Sequence, residues 1–253
     1  MADKLKHAVY AGTRNLYGPM MWSAKSLYAN SSVDRIHFLI QDDEFPYEMP
    51  QFCDFMNVDE YMESAFPDTG ANAKTHFTKM AMVRLCYPNL FPDIDLILQL
   101  DADTVVVDDI DAIWDTDMEG KWFAACHEKL SGYDPMHTGH YYNVGVCLFN
   151  LEQLRADRMQ AELVKWVNCT KSVCVEQDAL NAYAVRRGKA TDLDTRYNEN
   201  RACGYTDDPA IVHYVGYLDW ETNPNLPRRE YLKLYRDKPW SEIARLHNAR
   251  KRK

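Results

Sequence analysis

Several absences narrow the reading of this 253-residue chain before any motif is considered. No apolar run approaches the roughly 20 residues needed to cross a bilayer. The opening Met1-Ala-Asp-Lys-Leu-Lys leads into no signal-peptide core. Together these give the expectation of a soluble, cytoplasmic protein. The seven cysteines, at 53, 86, 126, 147, 169, 174 and 203, are odd in number and form no Cys-x-x-Cys pair. That argues against a disulfide framework or a zinc site and for reduced thiols in or near the core. There is no internal repeat and no low-complexity linker. The first strand and helix lack Gly-x-Gly-x-x-Gly, so the dinucleotide fingerprint is missing. The body of the chain also lacks positive charge. Of 29 Lys/Arg and 38 Asp/Glu, residues 228–253 hold ten basic and three acidic side chains, which leaves 19 basic against 35 acidic in the first 227. An acidic body is a poor fit to nucleic acid. The basic end, finishing Arg250-Lys-Arg-Lys253, reads either as a solvated terminus or as a peripheral foot on an anionic membrane surface.

What is present points to one large α/β domain. An apolar fraction of 46% over this length supports a full core. Strand patterns at His7–Ala11, Arg35–Ile40, 95–107, Lys121–Cys126, Val144–Phe149 and Ala210–Val215 alternate with helical ones at Met20–Tyr28, Asn72–Leu90, Leu151–Val167 and Gln177–Arg187. Two more helical pieces, about 228–236 and 240–250, close the chain. This alternation predicts a single Rossmann-like, doubly wound, mixed but mostly parallel sheet over residues 1–220. A basic helical extension, 221–253, packs on it or trails from it.

The segment Leu96-Ile-Leu-Gln-Leu-Asp101-Ala-Asp103 carries the clearest chemical signal. A nearly continuous apolar run reads as a strand covered on both faces, and it ends in two carboxylates two residues apart. In an extended chain such residues point to the same side. Like charges so placed repel unless a cation lies between them, and the carboxyl ends of strands are where open α/β sheets bind ligands. A divalent metal holding a diphosphate is the natural occupant. The pairs Asp93/Asp95, Asp109/Asp111, Asp115/Asp117 and Asp192/Asp194 share the spacing but follow no such strand, and read as caps, turns and solvated surface.

Five segments, in order, resemble one family. They are Val9-Tyr-Ala-Gly-Thr-Arg-Asn-Leu-Tyr17-Gly with Ser23-Ala-Lys-Ser-Leu27; Val83-Arg84-Leu85 ahead of Leu98-Gln-Leu-Asp101-Ala-Asp103; Tyr142-Asn143-Val-Gly145-Val-Cys-Leu-Phe-Asn150; Glu176-Gln177-Asp178-Ala-Leu-Asn181 with Leu193-Asp-Thr-Arg-Tyr197-Asn198; and Val212-His213-Tyr214-Val-Gly216. Over about residues 7–220 they resemble the retaining nucleotide-sugar glycosyltransferases that include glycogenin and the bacterial lipooligosaccharide galactosyltransferases, glycosyltransferase family 8. The resemblance implies a GT-A type domain and a hexose, glucose or galactose, moved from a UDP-sugar to a glycan, lipid-linked or protein acceptor. It implies Mn²⁺ or Mg²⁺ on Asp101, Asp103 and His213, a ligand set that suits those ions. It implies a base and ribose lined by Ala11, Gly12 and Thr13, with Tyr17 stacked on uracil. Ala102 would admit the ribose and Gly216 the diphosphate. Arg84, Asn143, Glu176 and Gln177 would face the sugar, with Gln177 positioning rather than attacking, since an amide is a poor nucleophile.

The chain departs from the family pattern at two places. Glu176 stands where Asp is usual. The run Gly216-Tyr-Leu-Asp219-Trp220 replaces a segment that normally continues to Lys-Pro-Trp, whose lysine holds the diphosphate. Lys238-Pro-Trp240 comes some twenty residues later, and Lys238, Arg228 and Arg229 are candidates to substitute. These departures keep open a non-catalytic or weakly active sugar-nucleotide-binding protein. A third reading is a haloacid-dehalogenase-type phosphatase, because Asp101-Ala-Asp103-Thr104-Val105 fits Asp-x-Asp-x-Thr. In that family, however, the motif lies on the chain's first strand.

Overall fold

A computed structural model describes residues 5–75, 77–129, 132–135, 139–215 and 222–251. In chain order the elements are β1 (His7–Ala11), α1 (Tyr17–Asn30), β2 (Arg35–Ile40), β3 (Cys53–Asn57), α2 (Asp59–Ala65), α3 (Tyr87–Leu90), β4 (Leu96–Leu100), β5 (Thr104–Val106), β6 (Phe123–His127), β7 (Tyr142–Asn150), α4 (Leu151–Ala156), α5 (Met159–Cys169), α6 (Val175–Ala184), β8 (Ala190–Asp192), β9 (Ile211–His213) and α7 (Trp240–Arg250). Seven strands form one sheet in the order β3-β2-β1-β4-β7-β6-β8, and β5 pairs with β9 in a separate ribbon. Within the large sheet β7 is antiparallel to β4 and β6, and the other pairings are parallel. The expected mixed, mostly parallel sheet is therefore observed. Its central strands are buried on both faces, one face packing with Tyr10, Leu98 and α1, the other with Val9, Ile97, Phe149 and α5 and α6. This is why they read as continuous apolar runs.

Two expectations are corrected. The 95–107 strand is two strands: β4 ends at Leu100, the chain turns through 101–103, and β5 leaves the sheet to pair with β9. The 72–90 helix is a 3₁₀ segment, Lys79–Cys86, running into the short α3. Pro88 has no N–H to give the carbonyl four residues back, so one continuous α-helix cannot pass through it. The edge strands β3 and β8 give no apolar alternation: Cys53 is the one buried side chain of β3, and β8 has none.

Helix α7 lies along α1. Its buried positions Trp240, Ile243 and His247 follow helical spacing. Trp240 packs edge-on to Tyr28 and Phe52, and His247 stacks on Tyr28 at 4.1 Å. No described helix is long and apolar enough to cross a membrane.

Candidate active site

Strand order reverses between β1 and β4. From β1 the chain runs outward through β2 and β3, then returns to the other side of β1 as β4. The carboxyl ends of these two parallel neighbours define a crevice where the fold leaves room for a ligand. Ala11, Gly12 and Thr13 form one lip and Asp101 the other. The antiparallel β7 adds its amino-terminal half beside Asp101, whose N–H donates to the Gly145 carbonyl at 2.7 Å. The β5–β9 ribbon sets Thr104 opposite His213, and the Tyr214 N–H donates to the Asp103 carbonyl at 3.0 Å. Asp101 and Asp103 thus converge with His213 through a turn and a ribbon, rather than through alternation along one extended strand.

These three side chains form the one metal-competent acidic and histidine cluster among the described residues, with a ligand atom from each lying within 4.8 Å of the others. His213 Nε2 is 3.2 Å from Asp103 Oδ1 and 3.7 Å from Asp101 Oδ2. Adjacent ligands around an octahedral ion with bonds of about 2.1 Å sit about 3 Å apart, so the set needs little movement to close on one. Asp101 Oδ1 is already occupied by Arg84 Nη2 at 2.8 Å and Gln99 Nε2 at 2.9 Å, which leaves Oδ2 facing the histidine. Room for the cluster comes from Gly145. A Cβ there would stand 2.1 Å from His213 Cε1 and 2.9 Å from Asp101 Oδ2. Burial opposes charge on His213, but Asp103 and Asp101 outweigh it and raise its pKa, while Asp103 is lowered against its own burial by the histidine. The donor set, the spacing and the glycine cradle all fit a divalent cation.

On the neighbouring wall, Arg84 is buried. It donates to the Val144 carbonyl and to Asp101, both at 2.8 Å, and lies 3.7 Å from Glu176 Oε1. Burial works against its charge, yet the two carboxylates raise its pKa. Gln177 Oε1 accepts from the Val144 N–H at 3.0 Å, and its Nε2 donates to Tyr141 Oη at 3.1 Å and to Glu128 Oε1 at 3.4 Å. Asn143 is buried. Its Nδ2 donates to Glu128 Oε1 at 2.8 Å, and its Oδ1 accepts from the Gly145 N–H at 3.1 Å and from Asn198 Nδ2 at 2.9 Å. Asp178 is structural in its contacts, accepting from Tyr141 Oη, Tyr133 Oη and the Cys174 N–H.

On the nucleoside side, Ala11 is half-buried. Gly12 is buried so tightly that a Cβ would meet Met20 Sδ at 2.8 Å and Leu16 Cβ at 2.9 Å. Thr13 donates to Asn15 Oδ1 at 2.5 Å, and Ala102 is buried between the two aspartates. Tyr17 does not fit the stacking expected of it. It is 1% exposed, its hydroxyl donates to Asp42 Oδ2 at 2.7 Å, and its ring packs against Phe45. It opens α1, and the apolar contacts of that helix pull the ring into the core. Gly216 and Asp219 lie outside the described residues. Of the candidate diphosphate cations, Lys238 pairs with Glu242 at the start of α7. Arg228 bonds Glu199 and the Thr206 carbonyl, and Arg229 donates to the carbonyls of Thr222 and Asn223.

Gln99, Glu128 and Tyr141 also belong to this constellation with nothing in their sequence context to mark them, and Gly145 and Asn198 stand in motifs that assign them no role. Gly145 alone carried a usable signal, because a glycine inside a buried strand marks a close approach.

Glu176 gives a pH test. Burial, opposed by Arg84, pushes its carboxyl from an ordinary 4.5 up to about 7. The native state therefore holds a proton that the unfolded chain has released, and stability falls as pH rises from the lower value to the upper. The cost is complete above about 7, where it reaches about 3 kcal/mol at most. Glu176→Gln removes it. In urea melts of metal-free protein, the stability difference between Glu176→Gln and the parent should grow by about 2–3 kcal/mol from about pH 5 to about pH 8. Parallel pH curves would show that the carboxyl is not held neutral.

The sequence model for glycosyl transferase family 8 matches residues 7–221. General stress protein A of Bacillus subtilis (strain 168) is 28% identical over 224 residues, covering 76% of this chain and 75% of that protein. Glycosyltransferase GlyF of Streptococcus pneumoniae serotype 4 is 26% identical over 162 residues, 59% of this chain and 40% of the relative. Among solved structures, the galactosyltransferase LgtC in complex with donor and acceptor sugar analogs superposes with TM-score 0.69 at 21% identity, over 96% of this chain and 95% of that one. GlyE of Streptococcus pneumoniae TIGR4 does so with TM-score 0.70 at 20% identity, over 98% and 64%. At these identities the structural likeness is one of fold, the GT-A fold. The phosphatase reading falls, since the aspartate pair follows the fourth strand of a sheet that the glycosyltransferase family model spans almost entirely. Motif order, switch-point crevice and family match converge, and the chain belongs to glycosyltransferase family 8 and is a glycosyltransferase.

Proposed function

We propose that the protein is a metal-dependent, retaining hexosyltransferase that moves glucose or galactose from a UDP-sugar to an acceptor hydroxyl on a glycan, a lipid-linked sugar or a protein. The observation that carries this reading is the convergence of Asp101, Asp103 and His213 at the β1/β4 crevice. These residues would hold Mn²⁺ or Mg²⁺, and a cation there supplies Lewis-acid neutralisation of a departing diphosphate. Ala11, Gly12 and Thr13 line the nucleoside lip, with Ala102 beneath the ribose; the sequence assigns Gly216, outside the described residues, to the diphosphate. On the opposite wall Arg84 fixes the rotamer of Asp101. Glu176 in its neutral form has an O–H to give a sugar hydroxyl. Gln177, with its amide oriented by the Val144 N–H, positions the reactive face and stabilises developing charge.

The basic helical extension, 221–253, serves in this reading as a brace on α1, whose first turn follows the nucleoside lip. Of its ten basic side chains, Arg228 pairs with Glu199, Lys238 with Glu242, and Arg250 with Asp109 and Asp111. This favours the brace over a foot on an anionic membrane.

The test is UDP release from a panel of UDP-sugars with Mn²⁺, with and without candidate acceptors. One donor should turn over, and Asp103→Ala should lower its rate at least 100-fold, about 3 kcal/mol of transition-state stabilisation. The pairing of Lys238, Arg228 and Arg229 elsewhere favours a second reading, a weakly active sugar-nucleotide binder. That reading gains if UDP with Mn²⁺ raises the melting temperature but no donor is hydrolysed or transferred.

A further inference from the structure

His213 can offer a bare Nε2 to a cation held by the two aspartates only if a ring proton stays on Nδ1, and the residues behind it decide that. His213 Nδ1 lies 2.8 Å from Asn198 Oδ1. Whether the amide presents oxygen or nitrogen there is fixed from two directions. On one side, Asn200 Oδ1 accepts from the backbone N–H groups of Ala202 and Cys203, at 2.8 and 2.9 Å. A backbone N–H can only donate, so Asn200 must turn its Nδ2 toward Asn198, whose Oδ1 accepts it at 3.0 Å. On the other side, Asn143 Oδ1 accepts from the Gly145 N–H, so it can take only a donor from Asn198, and Asn198 Nδ2 supplies one at 2.9 Å. Both anchors are main-chain groups. With Asn198 so oriented, its oxygen facing the imidazole is an acceptor, and the imidazole nitrogen opposite it must carry hydrogen.

The backbone holds this chain of amides in register. The Glu199 N–H donates to the Ile211 carbonyl and the His213 N–H to the Glu199 carbonyl, both at 2.9 Å, while Asn200 and Gly204 bridge each other. Asn198, Asn200 and His213 are all buried, so bulk solvent does not compete for these bonds.

We propose that Asn198 is a positioning residue that sets the tautomer of His213, with Asn143 and Asn200 as the polarity clamps on either side. The consequence for metal binding rests on the cation reading above; the tautomer itself does not. Groups that hydrogen-bond the far nitrogen of a ligating histidine orient the ring and tune its basicity, and losing one commonly weakens metal affinity about 10- to 100-fold. On this account Asn143 acts on the crevice through Asn198, beyond any contact with a sugar.

The experiment uses the full chain with isotope-labelled histidine, first free of metal and then with Mg²⁺. The His213 signal is identified by its loss in His213→Gln. Nitrogen shifts should report hydrogen on Nδ1 in the metal-free protein, where Nε2 also donates to Asp103, and on Nδ1 alone once Mg²⁺ is bound. Asn198→Asp keeps an acceptor at Nδ1 but places a carboxylate oxygen against Asn143 Oδ1. It should melt lower than the parent yet keep hydrogen on Nδ1 and hold Mn²⁺ within about fivefold, because the acceptor behind Nδ1 survives. Asn198→Leu should lose the tautomer preference and bind Mn²⁺ about 10- to 100-fold more weakly, read from the free-ion EPR signal. A purely structural role would instead make affinity track melting temperature through both variants. If Asn198→Leu does not fold, Asn198→Ala, which removes the acceptor without overfilling the pocket, should lose the preference in the same way. A parent Nδ1 without hydrogen, or an unchanged His213 spectrum in either apolar variant, overturns the proposal. A parent that binds no Mn²⁺ but shows the expected tautomer refutes the cation reading and leaves the amide chain standing.

Discussion

Gly145→Ala is expected to abolish Mn²⁺ binding and lower UDP release at least 100-fold while the sheet still forms. The added methyl lands 2.1 Å from His213 Cε1, 2.8 Å from Nδ1 and 2.9 Å from Asp101 Oδ2, all well inside van der Waals contact. The strand cannot easily retreat. Leu100 pairs with Val146 in the ladder, and the Gly145 carbonyl and N–H are bonded to Asp101 and Asn143. The ring must therefore move, and it can move only away from β7, which takes Nε2 off the aspartates. Overpacking of a buried site typically costs about 1–3 kcal/mol, enough to lower the melting temperature but not to unfold a domain with this much core. The decisive measurement is the shift in melting temperature on adding Mn²⁺, present in the parent and absent in the variant. A variant that kept the full shift would mean that His213 is not a ligand. Gly12→Ala is a useful contrast. Its methyl would meet Met20 and Leu16, so it should disturb the nucleoside lip and leave the Mn²⁺ response in place.

The sequence exposed the parts of this molecule built from contiguous signals. β4 and β7 are apolar almost throughout because both faces are covered, and the aspartate pair that ends β4 is visible without any structure. What it hid depends on where the chain turns. Nothing local distinguishes the 95–107 run as two strands, because Val105 and Val106 are as apolar as Leu98 and Leu100. The break at 101–103 is decided by β9, more than a hundred residues on. Edge strands β3 and β8 leave no apolar period because they bury almost nothing. Tyr17 departs from its expected place for a related reason: an aromatic near a ligand lip reads the same whether it faces the crevice or the core, and here α1 carries it inward. Asn198 and Asn200 are ordinary loop residues by composition. Their importance comes from the polarity of the backbone groups they touch, and that has no sequence signature.

Arg84→Met should be the most destabilising single change on the opposite wall. Arg84 satisfies three acceptors at once: the Val144 carbonyl, Asp101 Oδ1 and, at longer range, Glu176. Methionine replaces its volume but none of its hydrogen bonds. Removing one partner of a buried ion pair costs about 3–5 kcal/mol because the remaining charge is left uncompensated. The lower end applies here, since Asp101 is partly exposed and Glu176 can take up a proton. At about 2–4 °C per kcal/mol for a domain of this size, the melting temperature should fall on the order of 10 °C. The loss should also depend on pH. With Arg84 gone, the force that lowers the Glu176 pKa is gone as well. The carboxyl then resists ionisation further, so the penalty is larger at about pH 8 than at about pH 5, where the group is already neutral in the folded parent. Arg84→Lys keeps a charge but cannot serve the Val144 carbonyl and Asp101 with a planar fork, and should recover only part of the loss. Combining Arg84→Met with Glu176→Gln should recover the pH-dependent part and leave the part due to Asp101 and Val144. If the single and double variants melt together at both pH values, Glu176 and Arg84 are not coupled, and the wall is held by the bonds to Asp101 and Val144 alone.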